Sequence, residues 1–208
     1  MNLPNKLTIA RMCAIPILII VSLIKPLQEI VVFGNIANNT AVTLEMIIML
    51  VIFAVASFTD FLDGKIARKY NLVTNFGKFM DPLADKLLVL TMLIILVERG
   101  MLVAFGIQFG FAVTLILARE FAITGLRLIA ANNNLVIAAS KLGKVKTTVQ
   151  MVMIIVVTFG CYPFTFLGGA SKEITTLVLV SLATLLTIVS GVDYFIKNAH
   201  VLKEGEGK

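Results

Sequence analysis

Four aspartates lie close together in a part of the chain that is otherwise strongly apolar. Asp60 and Asp63 are three positions apart, Asp81 and Asp85 are four apart, and the set spans 26 residues. On helices, each spacing places its pair on one face. Carboxylates gathered away from bulk water repel one another and take up protons, unless divalent cations remove that penalty. Their hard oxygen ligands suit Mg²⁺, Mn²⁺ or Ca²⁺ better than zinc, so the pattern predicts a metal site.

Small residues continue the two helix faces that carry the aspartates. Gly64 and Ala67 each follow one of these aspartates by four positions, and Gly77 precedes another by four. Such residues allow close helix packing, and beside a metal cluster they equally leave room for a flat ligand against the backbone. Arg68 has a guanidinium fork that suits a phosphate oxygen, although a basic residue at this position also fits a cytoplasmic anchor.

The composition indicates that the elements holding these residues are membrane helices. Of 208 residues, 59% are hydrophobic and 14% are charged, whereas globular domains are about half apolar and about one quarter charged. A helix needs about 20 apolar residues to cross the hydrocarbon layer. Six runs meet this requirement: residues 7–25, 44–68, 79–97, 101–128, 145–167 and 174–196. The sequence therefore predicts an all-α integral membrane protein with six transmembrane helices, forming a single domain over residues 1–208.

Lysine and arginine placement predicts how these helices are oriented. The net charge of +6 would suit nucleic-acid binding in a soluble protein, but basic residues in short loops orient a membrane protein. Most of them lie in or next to the connections after the second, fourth and sixth runs: Lys65, Arg68, Lys69 and Lys78, then Arg127, Lys141, Lys144 and Lys146, then Lys197, Lys203 and Lys208. The alternate connections hold Lys25, Arg99 and Lys172. Both termini are therefore predicted to be cytoplasmic, with the aspartates near the cytoplasmic edge of the hydrocarbon.

Eight positions of this region resemble the signature of the CDP-alcohol phosphotransferase family. They are Asp60, Asp63, Gly64, Ala67, Arg68, Gly77, Asp81 and Asp85, at the spacing found in that family. The six predicted spans also agree with what the family looks like. The resemblance implies an enzyme that transfers a phosphatidyl or similar group from a CDP-linked donor to an alcohol and releases CMP.

The resemblance also implies a role for each part of the signature. The four aspartates would hold two divalent ions, Mg²⁺ or Mn²⁺, and Asp85 would in addition accept the proton of the acceptor hydroxyl. Gly64, Ala67 and Gly77 would make room for the cytidine nucleotide, while Arg68 would steady its phosphates. Ions that neutralise the leaving group, together with a carboxylate base, fit direct in-line attack. A homodimer is expected by resemblance only. The resemblance to bacterial enzymes implies a bacterial cytoplasmic membrane, in which the placement of lysine and arginine predicts a site that faces the cytoplasm.

Other stretches resemble the bacterial phosphatidylglycerophosphate synthase branch of the family, so the resemblance covers essentially the whole chain. These stretches contain Asn5, Lys6, Leu7, Thr8, Arg11 and Pro16, then Ala118, Arg119 and Glu120, and then Lys141, Gly143, Lys144, Lys146 and Thr147. That branch uses CDP-diacylglycerol as donor and sn-glycerol 3-phosphate as acceptor. Asn5 and Thr8 are candidate contacts to the donor nucleotide, and they could equally be helix-capping groups.

Arg119 is a cation inside an apolar run, where an unpaired charge is costly. A phosphate-bearing acceptor needs cations of its own, and an arginine fork suits phosphate. Arg119, Lys141 and Lys144 are therefore the predicted acceptor-phosphate pocket, which Arg127 could join. The alternative is that Arg119 pairs with an acidic residue while the lysines bind anionic lipid. Glu120 is expected to counter a cation on a neighbouring helix and is given no catalytic role.

Two other functions remain open from the sequence. The same chemistry could use inositol phosphate, serine or phosphatidylglycerol as the acceptor alcohol. In a different class, acidic residues within spans also mark the ion pathway of a divalent-cation transporter. The aspartates cluster toward one membrane face without a matching polar set toward the other. This distribution favours a catalytic pocket that opens at a surface.

Overall fold

The computed structural model describes residues 3–34, 41–69, 75–132, 135, 137–138, 140–168, 170–199 and 201, without the side chains of residues 3–4, 60–69, 75–79, 82, 132 and 166–167. In chain order, the elements are α1 (Leu3–Leu23), α2 (Lys25–Glu29), β1 (Val31–Phe33), β2 (Val42–Thr43), α3 (Leu44–Lys69), α4 (Asn75–Glu98), β3 (Val103–Ala104), β4 (Ile107–Gln108), α5 (Gly110–Asn132), α6 (Lys141–Thr158), a 3₁₀ turn (Phe164–Leu167) and α7 (Ser171–Lys197). Within these residues, six helices of 18 to 27 residues correspond to the six predicted runs. The prediction of a mainly α-helical chain is confirmed.

The predicted fourth run, residues 101–128, begins too early. Its first residues form an antiparallel hairpin of β3 and β4, and α5 begins only at Gly110. Phe105 and Gly106 have φ angles of 51° and 76° at the turn. Two successive residues with positive φ are typical of tight hairpin turns and incompatible with a continuing helix. The apolar run therefore contains a hairpin followed by a helix.

The predicted fifth run, residues 145–167, is displaced toward the C-terminus. Helix α6 begins at Lys141, ends at Thr158 and is followed by a turn. Gly160 and Cys161 have φ angles of 67° and 62°, which places both in the left-handed region that ends helices. The turn predicted at residues 35–40 lies outside the described residues. Gly168, at the other predicted turn, has a φ of 72° after the 3₁₀ turn.

Two helices of the described chain are long and apolar enough to cross a membrane, Asn5–Leu23 and Ser171–Lys197, and Leu44–Thr59 is a shorter apolar helix. Helix α7 also exposes a continuous apolar stripe at intervals of three or four residues. The stripe contains Ile174, Val178, Leu182, Leu185, Val189, Val192 and Ile196. An exposed apolar surface of this extent suits lipid rather than water. These features are consistent with the predicted all-α membrane protein.

The chain divides into two compact units, which are described separately. The first contains Met1–Met101 and Ile154–Lys172, and the second contains Leu102–Met153 and Glu173–Lys208. In the first unit, α1 packs against both α3 and α4. Leu18, Phe53 and Leu88 are among the fully buried side chains of these helices. Burial of such apolar surface holds α1 beside the two helices that carry the aspartates.

The second unit contains α5, most of α6 and nearly all of α7. A buried cluster joins one end of α5 to the end of α7 and the residues after it: Ile123, Leu126, Ala130, Tyr194 and Val201. Arg127 reaches the same region, because its Nε donates a hydrogen bond of 2.9 Å to the hydroxyl of Tyr194. This cluster fixes α5 against α7 and so positions the charged residues that lie one to two turns earlier on α5.

Candidate active site

Helix α1 makes a direct polar contact with the aspartate helix α4. The hydroxyl of Thr8 donates a hydrogen bond to Oδ1 of Asp81. Thr8 is fully buried, whereas Asp81 is half-buried. A buried donor that meets a carboxylate fixes the orientation of that carboxylate, because a displaced partner would leave a polar group unsatisfied. Thr8, predicted as a donor-nucleotide contact or a cap, therefore positions Asp81.

Asp81 and Asp85 lie one turn apart on α4, and both are half-buried. Ala84, which precedes Asp85, is fully buried in the first unit. The helical spacing places both carboxylates on one face, as the sequence predicts. No group of three or more histidine, cysteine or acidic side chains that could hold a metal occurs among the side chains that are described. Two of the four predicted metal ligands are thus described, on adjacent turns.

The remaining residues of the signature lie on helical backbone, with side chains outside the described set. Those on α3 are Asp60, Asp63, Gly64, Ala67 and Arg68, and Gly77 lies on α4. The helical backbone gives these residues the one-face spacing that the sequence analysis assumes. Their predicted roles as metal ligands and donor contacts stay predictions.

Arg11 lies one turn after Thr8 on α1 and is almost completely buried. Its Nε donates to the carbonyl oxygen of Ala56 on α3, at 3.4 Å. Thr8 and Arg11 therefore connect α1 to α4 and α3, respectively. A buried arginine within apolar helices is costly unless its donors are used, so this contact has a structural role. The sequence analysis names Arg11 only among the residues that carry the family resemblance and predicts no role for it.

A second polar cluster occurs in the other unit, around Arg119 of α5. Nη1 of Arg119 donates to Oε1 of Glu120 at 2.8 Å, and Nη2 donates to the hydroxyl of Ser190 at 2.9 Å. Nζ of Lys146 also donates to Oε1 of Glu120, at 2.7 Å. The expectation that Glu120 counters a cation on a neighbouring helix is confirmed, because Lys146 lies on α6. The predicted alternative, in which Arg119 pairs with an acidic residue, also agrees with these contacts, because Glu120 accepts the bond from Nη1.

One donor of Arg119 differs from the others. Its Nε is buried and has no hydrogen-bond partner among the residues that the structure describes. A buried donor without an acceptor carries a desolvation penalty. An oxygen atom of a ligand would satisfy it. Internal pairing through Nη1 and Nη2 thus leaves Nε of Arg119 without an acceptor among the described residues.

The predicted lysines of this pocket lie in the first turn of α6. The Ser140 hydroxyl accepts a hydrogen bond of 3.0 Å from the Gly143 backbone and caps the helix. A Cβ atom at Gly143 would lie 3.9 Å from Nη2 of Arg119, so this guanidinium is close to the first turn of α6. Lys141 and Lys144 are both exposed. The structure thus brings Arg119 beside the turn that carries both lysines.

Lys141 also lines a cavity of about 490 Å³ within the second unit. Its other polar lining residues are Ser140, Asp193, Tyr194, Lys197 and Asn198. Arg119 and Lys144 are not among the residues that line this cavity. Arg127, a further predicted candidate, is instead engaged with Tyr194, above whose ring its guanidinium carbon lies at 5.4 Å from the centroid.

Comparison with known proteins identifies the protein family to which the chain belongs. Residues 1–194 match the family described as CDP-alcohol phosphatidyltransferase. The chain belongs to the CDP-alcohol phosphatidyltransferase family. The matched residues include all eight positions of the aspartate signature and Arg119, Glu120 and Lys146. The family resemblance predicted from the sequence is therefore confirmed.

Several bacterial relatives within the CDP-alcohol phosphatidyltransferase family are similar over most of their length. A CDP-diacylglycerol–glycerol-3-phosphate 3-phosphatidyltransferase from Bacillus subtilis (strain 168) is 41% identical over 203 residues, which cover 97% of each chain. A protein of the same name from Rickettsia felis is 38% identical over 93% of each chain. A probable phosphatidylglycerophosphate synthase from Mycobacterium tuberculosis is 35% identical over 93% of this chain and 79% of its own.

The donor set of this CDP-alcohol phosphatidyltransferase fits a divalent cation. Asp81 and Asp85 provide hard carboxylate oxygens on one helix face, and the Thr8 hydroxyl occupies one oxygen of Asp81. A hydrogen bond to a ligand carboxylate is the outer contact expected at metal sites. No local pattern indicates this contact, since Thr8 and Asp81 are 73 positions apart in the chain.

Loss of the Thr8 hydroxyl is expected to impair the site through Asp81. Thr8→Val, which keeps the side-chain shape, should lower kcat/KM for CMP release about 10- to 100-fold, the usual loss when a residue that hydrogen-bonds a metal-binding side chain is removed. Thr8→Ser should retain most activity because it keeps the donor. Thr184→Val is the matched control, since the Thr184 hydroxyl donates to the carbonyl of Val180 in its own helix. Equal activities of Thr8→Val and Thr8→Ser would show that the Thr8 hydroxyl does not act through Asp81.

Proposed function

We propose that this chain transfers the phosphatidyl group of CDP-diacylglycerol to sn-glycerol 3-phosphate, forming phosphatidylglycerol phosphate and CMP. The observation that carries the proposal is the 41% identity, over 97% of both chains, to a Bacillus subtilis protein named for this activity. The half-buried Asp81 and Asp85 on one face of α4 support it, because the chemistry needs clustered carboxylates. The chain is therefore assigned as an enzyme of phospholipid biosynthesis.

The donor is proposed to bind at the aspartates of the first unit. Asp60, Asp63, Asp81 and Asp85 would hold two divalent ions, either Mg²⁺ or Mn²⁺. The chemistry that such ions supply is neutralisation of negative charge on the pyrophosphate and on the departing CMP. Gly64, Ala67 and Gly77 would leave space for the cytidine nucleotide, while Arg68 and Asn5 would contact it. Thr8 would act mainly by orienting Asp81, to which it donates a hydrogen bond.

Asp85 is proposed to accept the proton of the acceptor hydroxyl. An alcohol is a poor nucleophile, and a positioned carboxylate that takes its proton during attack raises the rate. The hydroxyl oxygen then attacks the phosphorus of the donor directly, and CMP leaves on the opposite side. The proton remains on Asp85 until it is released to solvent. Its half-buried position on α4 supports access for the acceptor.

The acceptor phosphate is proposed to bind Arg119 with Lys141 and Lys144. The guanidinium of Arg119 lies beside the first turn of α6, which carries both lysines. Its buried Nε still lacks an acceptor within the described part of the chain. An arginine fork and two flexible ammonium groups suit a phosphate dianion better than a neutral alcohol. This charge requirement favours glycerol 3-phosphate over serine as the acceptor.

The proposed setting is the cytoplasmic membrane of a bacterium. All six long helices would span it, including the four that length and composition alone do not select, with both termini and the catalytic site on the cytoplasmic side. The single-domain prediction is kept because the family match, residues 1–194, includes most of both compact units. A homodimer is proposed from the family resemblance.

A CMP-release assay across several alcohols tests the proposed reaction. Purified protein with CDP-diacylglycerol and Mg²⁺ should release CMP with glycerol 3-phosphate at a rate at least about 100-fold above that with serine, inositol phosphate or phosphatidylglycerol. Addition of a chelator should abolish release, and Mg²⁺ or Mn²⁺ should restore it. Faster release with one of the other alcohols would overturn the acceptor assignment. Metal uptake into sealed vesicles without any CMP release would favour the transporter.

A further inference from the structure

The side chain of Arg119 lies directly against the backbone of α7 at Gly191. A Cβ atom placed on Gly191 would lie 3.0 Å from Cγ of Arg119, 3.7 Å from Nε and 4.0 Å from Cδ. A separation of 3.0 Å is shorter than ordinary carbon–carbon contact, which begins at about 3.5 Å. A Cβ atom at position 191 would therefore require the aliphatic part of Arg119 to shift by a few tenths of an ångström. Glycine at this position allows the present path of the arginine.

The neighbouring residues hold the guanidinium at the end of this path. Ser190, adjacent to Gly191, accepts a hydrogen bond from Nη2 at 2.9 Å, and Glu120 accepts one from Nη1 at 2.8 Å. Ser190 is itself buried. The two acceptors therefore fix both terminal nitrogens while α7 supports the stem. Glycine is a poor residue for a helix interior, so its location at this contact is notable on local grounds alone.

We infer that Gly191 is a positioning residue for the acceptor substrate, because it sets the path along which Arg119 reaches its binding position. This inference rests on the proposed role of Arg119 in binding the acceptor phosphate. A methyl group at position 191 would rotate or shift the stem, and the terminal nitrogens would move with it. Hydrogen bonds to a ligand weaken when the donor is displaced from its preferred distance and angle. Gly191 itself need not touch the substrate.

The test compares Gly191→Ala with a matched glycine in the purified full-length protein. Gly191→Ala should raise the KM for glycerol 3-phosphate about 5- to 20-fold, with kcat and the KM for CDP-diacylglycerol within about twofold of the parent. Gly125→Ala is the control, because Gly125 lies on α5 in the same unit and a Cβ there meets nothing within 4 Å. This control should leave all three constants within about twofold.

A double variant separates an effect through Arg119 from a general packing defect. Arg119→Ala removes Cγ, so Gly191→Ala should then cause no further rise in the acceptor KM and no further loss of thermal stability. An equal effect of Gly191→Ala in both backgrounds would overturn the inference. An unchanged acceptor KM in Gly191→Ala, with Arg119→Ala strongly impaired, would also overturn it.

Two further results distinguish the inference from the proposed function. If Arg119→Ala leaves the acceptor KM unchanged, the acceptor role of Arg119 fails, and with it the role of Gly191 in acceptor binding. In that case, a stability loss in Gly191→Ala that disappears in the double variant would show only that Gly191 packs against Arg119, without a role in acceptor binding. If Gly191→Ala does not fold, Ser190→Ala tests the position of Arg119 without a steric clash. Because it removes the acceptor of the Nη2 hydrogen bond, it should raise the KM for glycerol 3-phosphate about threefold or more. No change in that variant would overturn the inference.

Discussion

Asp85→Asn is expected to lower the rate of CMP release from CDP-diacylglycerol and glycerol 3-phosphate by at least about 100-fold. The asparagine amide has nearly the same shape as the carboxylate but cannot accept the proton of the acceptor hydroxyl. Donor binding should largely persist, because the other three aspartates remain. The measurement is kcat from CMP release, together with binding of CDP-diacylglycerol to the detergent-solubilised protein in the presence of Mg²⁺.

Two variants give this experiment its contrast. Glu98→Gln removes a carboxylate from the exposed end of the same helix, α4, and should leave activity within about twofold of the parent. Asp60→Asn should instead weaken metal and donor binding together, since Asp60 is proposed as a ligand rather than a base. If Asp85→Asn lost donor binding as completely as Asp60→Asn, Asp85 would be a ligand without a separate role in proton transfer. Transfer within about tenfold of the parent would exclude it as the general base.

The number of long helices was predictable from the sequence, whereas two of their boundaries were not. Apolar runs of about 20 residues identify helices in a membrane chain, because the length requirement dominates. Hydropathy alone does not distinguish the β3–β4 hairpin from the start of α5, since both are apolar. The end of α6 had a signal that the prediction did not use. Gly160 and Pro163 follow Thr158 closely, and both residue types commonly follow a helix end.

The chemical residues of the site were predictable to the extent that they are charged. A carboxylate or a guanidinium in an apolar helix attracts attention because its burial is costly. This signal found Asp81, Asp85 and Arg119, and the resemblance drew in Glu120 and Lys146. It did not specify that one carboxylate oxygen of Glu120 accepts bonds from two cations on different helices.

The small residues around Arg119 had no comparable signal. Ser190 and Gly191 lie in an apolar helix that contains other small residues, and nothing in their local sequence relates them to Arg119, 71 positions away from Ser190. The hydrogen bond from Thr8 to Asp81 likewise becomes visible only in the packing of α1 against α4. Positioning residues act through tertiary contacts, so they become visible only when the helices are packed. Experiments on such residues must therefore distinguish an effect on the position of a neighbouring side chain from a direct role in the reaction.

Arg119→Ala is expected to have its main effect on the acceptor rather than on the donor. Loss of a charged hydrogen-bond donor to phosphate costs about 1.5–3 kcal/mol, which corresponds to a rise of about 10- to 100-fold in the KM for glycerol 3-phosphate. The KM for CDP-diacylglycerol should stay within about threefold, because the donor is assigned to the aspartates. Arg119→Lys should restore only part of the loss, since an ammonium group lacks the planar fork.

Arg127→Ala is the matched comparison, because it removes a guanidinium from the same helix. The Nε of Arg127 is engaged with the hydroxyl of Tyr194, and its guanidinium lies over the Tyr194 ring, so its loss should affect stability more than the acceptor KM. A similar acceptor-specific rise in both variants would extend the phosphate pocket to Arg127. An equal rise of the donor and acceptor KM values in Arg119→Ala would show that Arg119 supports the fold rather than the acceptor phosphate. The ratio of these two constants therefore decides whether Arg119, in addition to its internal pairing with Glu120, binds the acceptor phosphate.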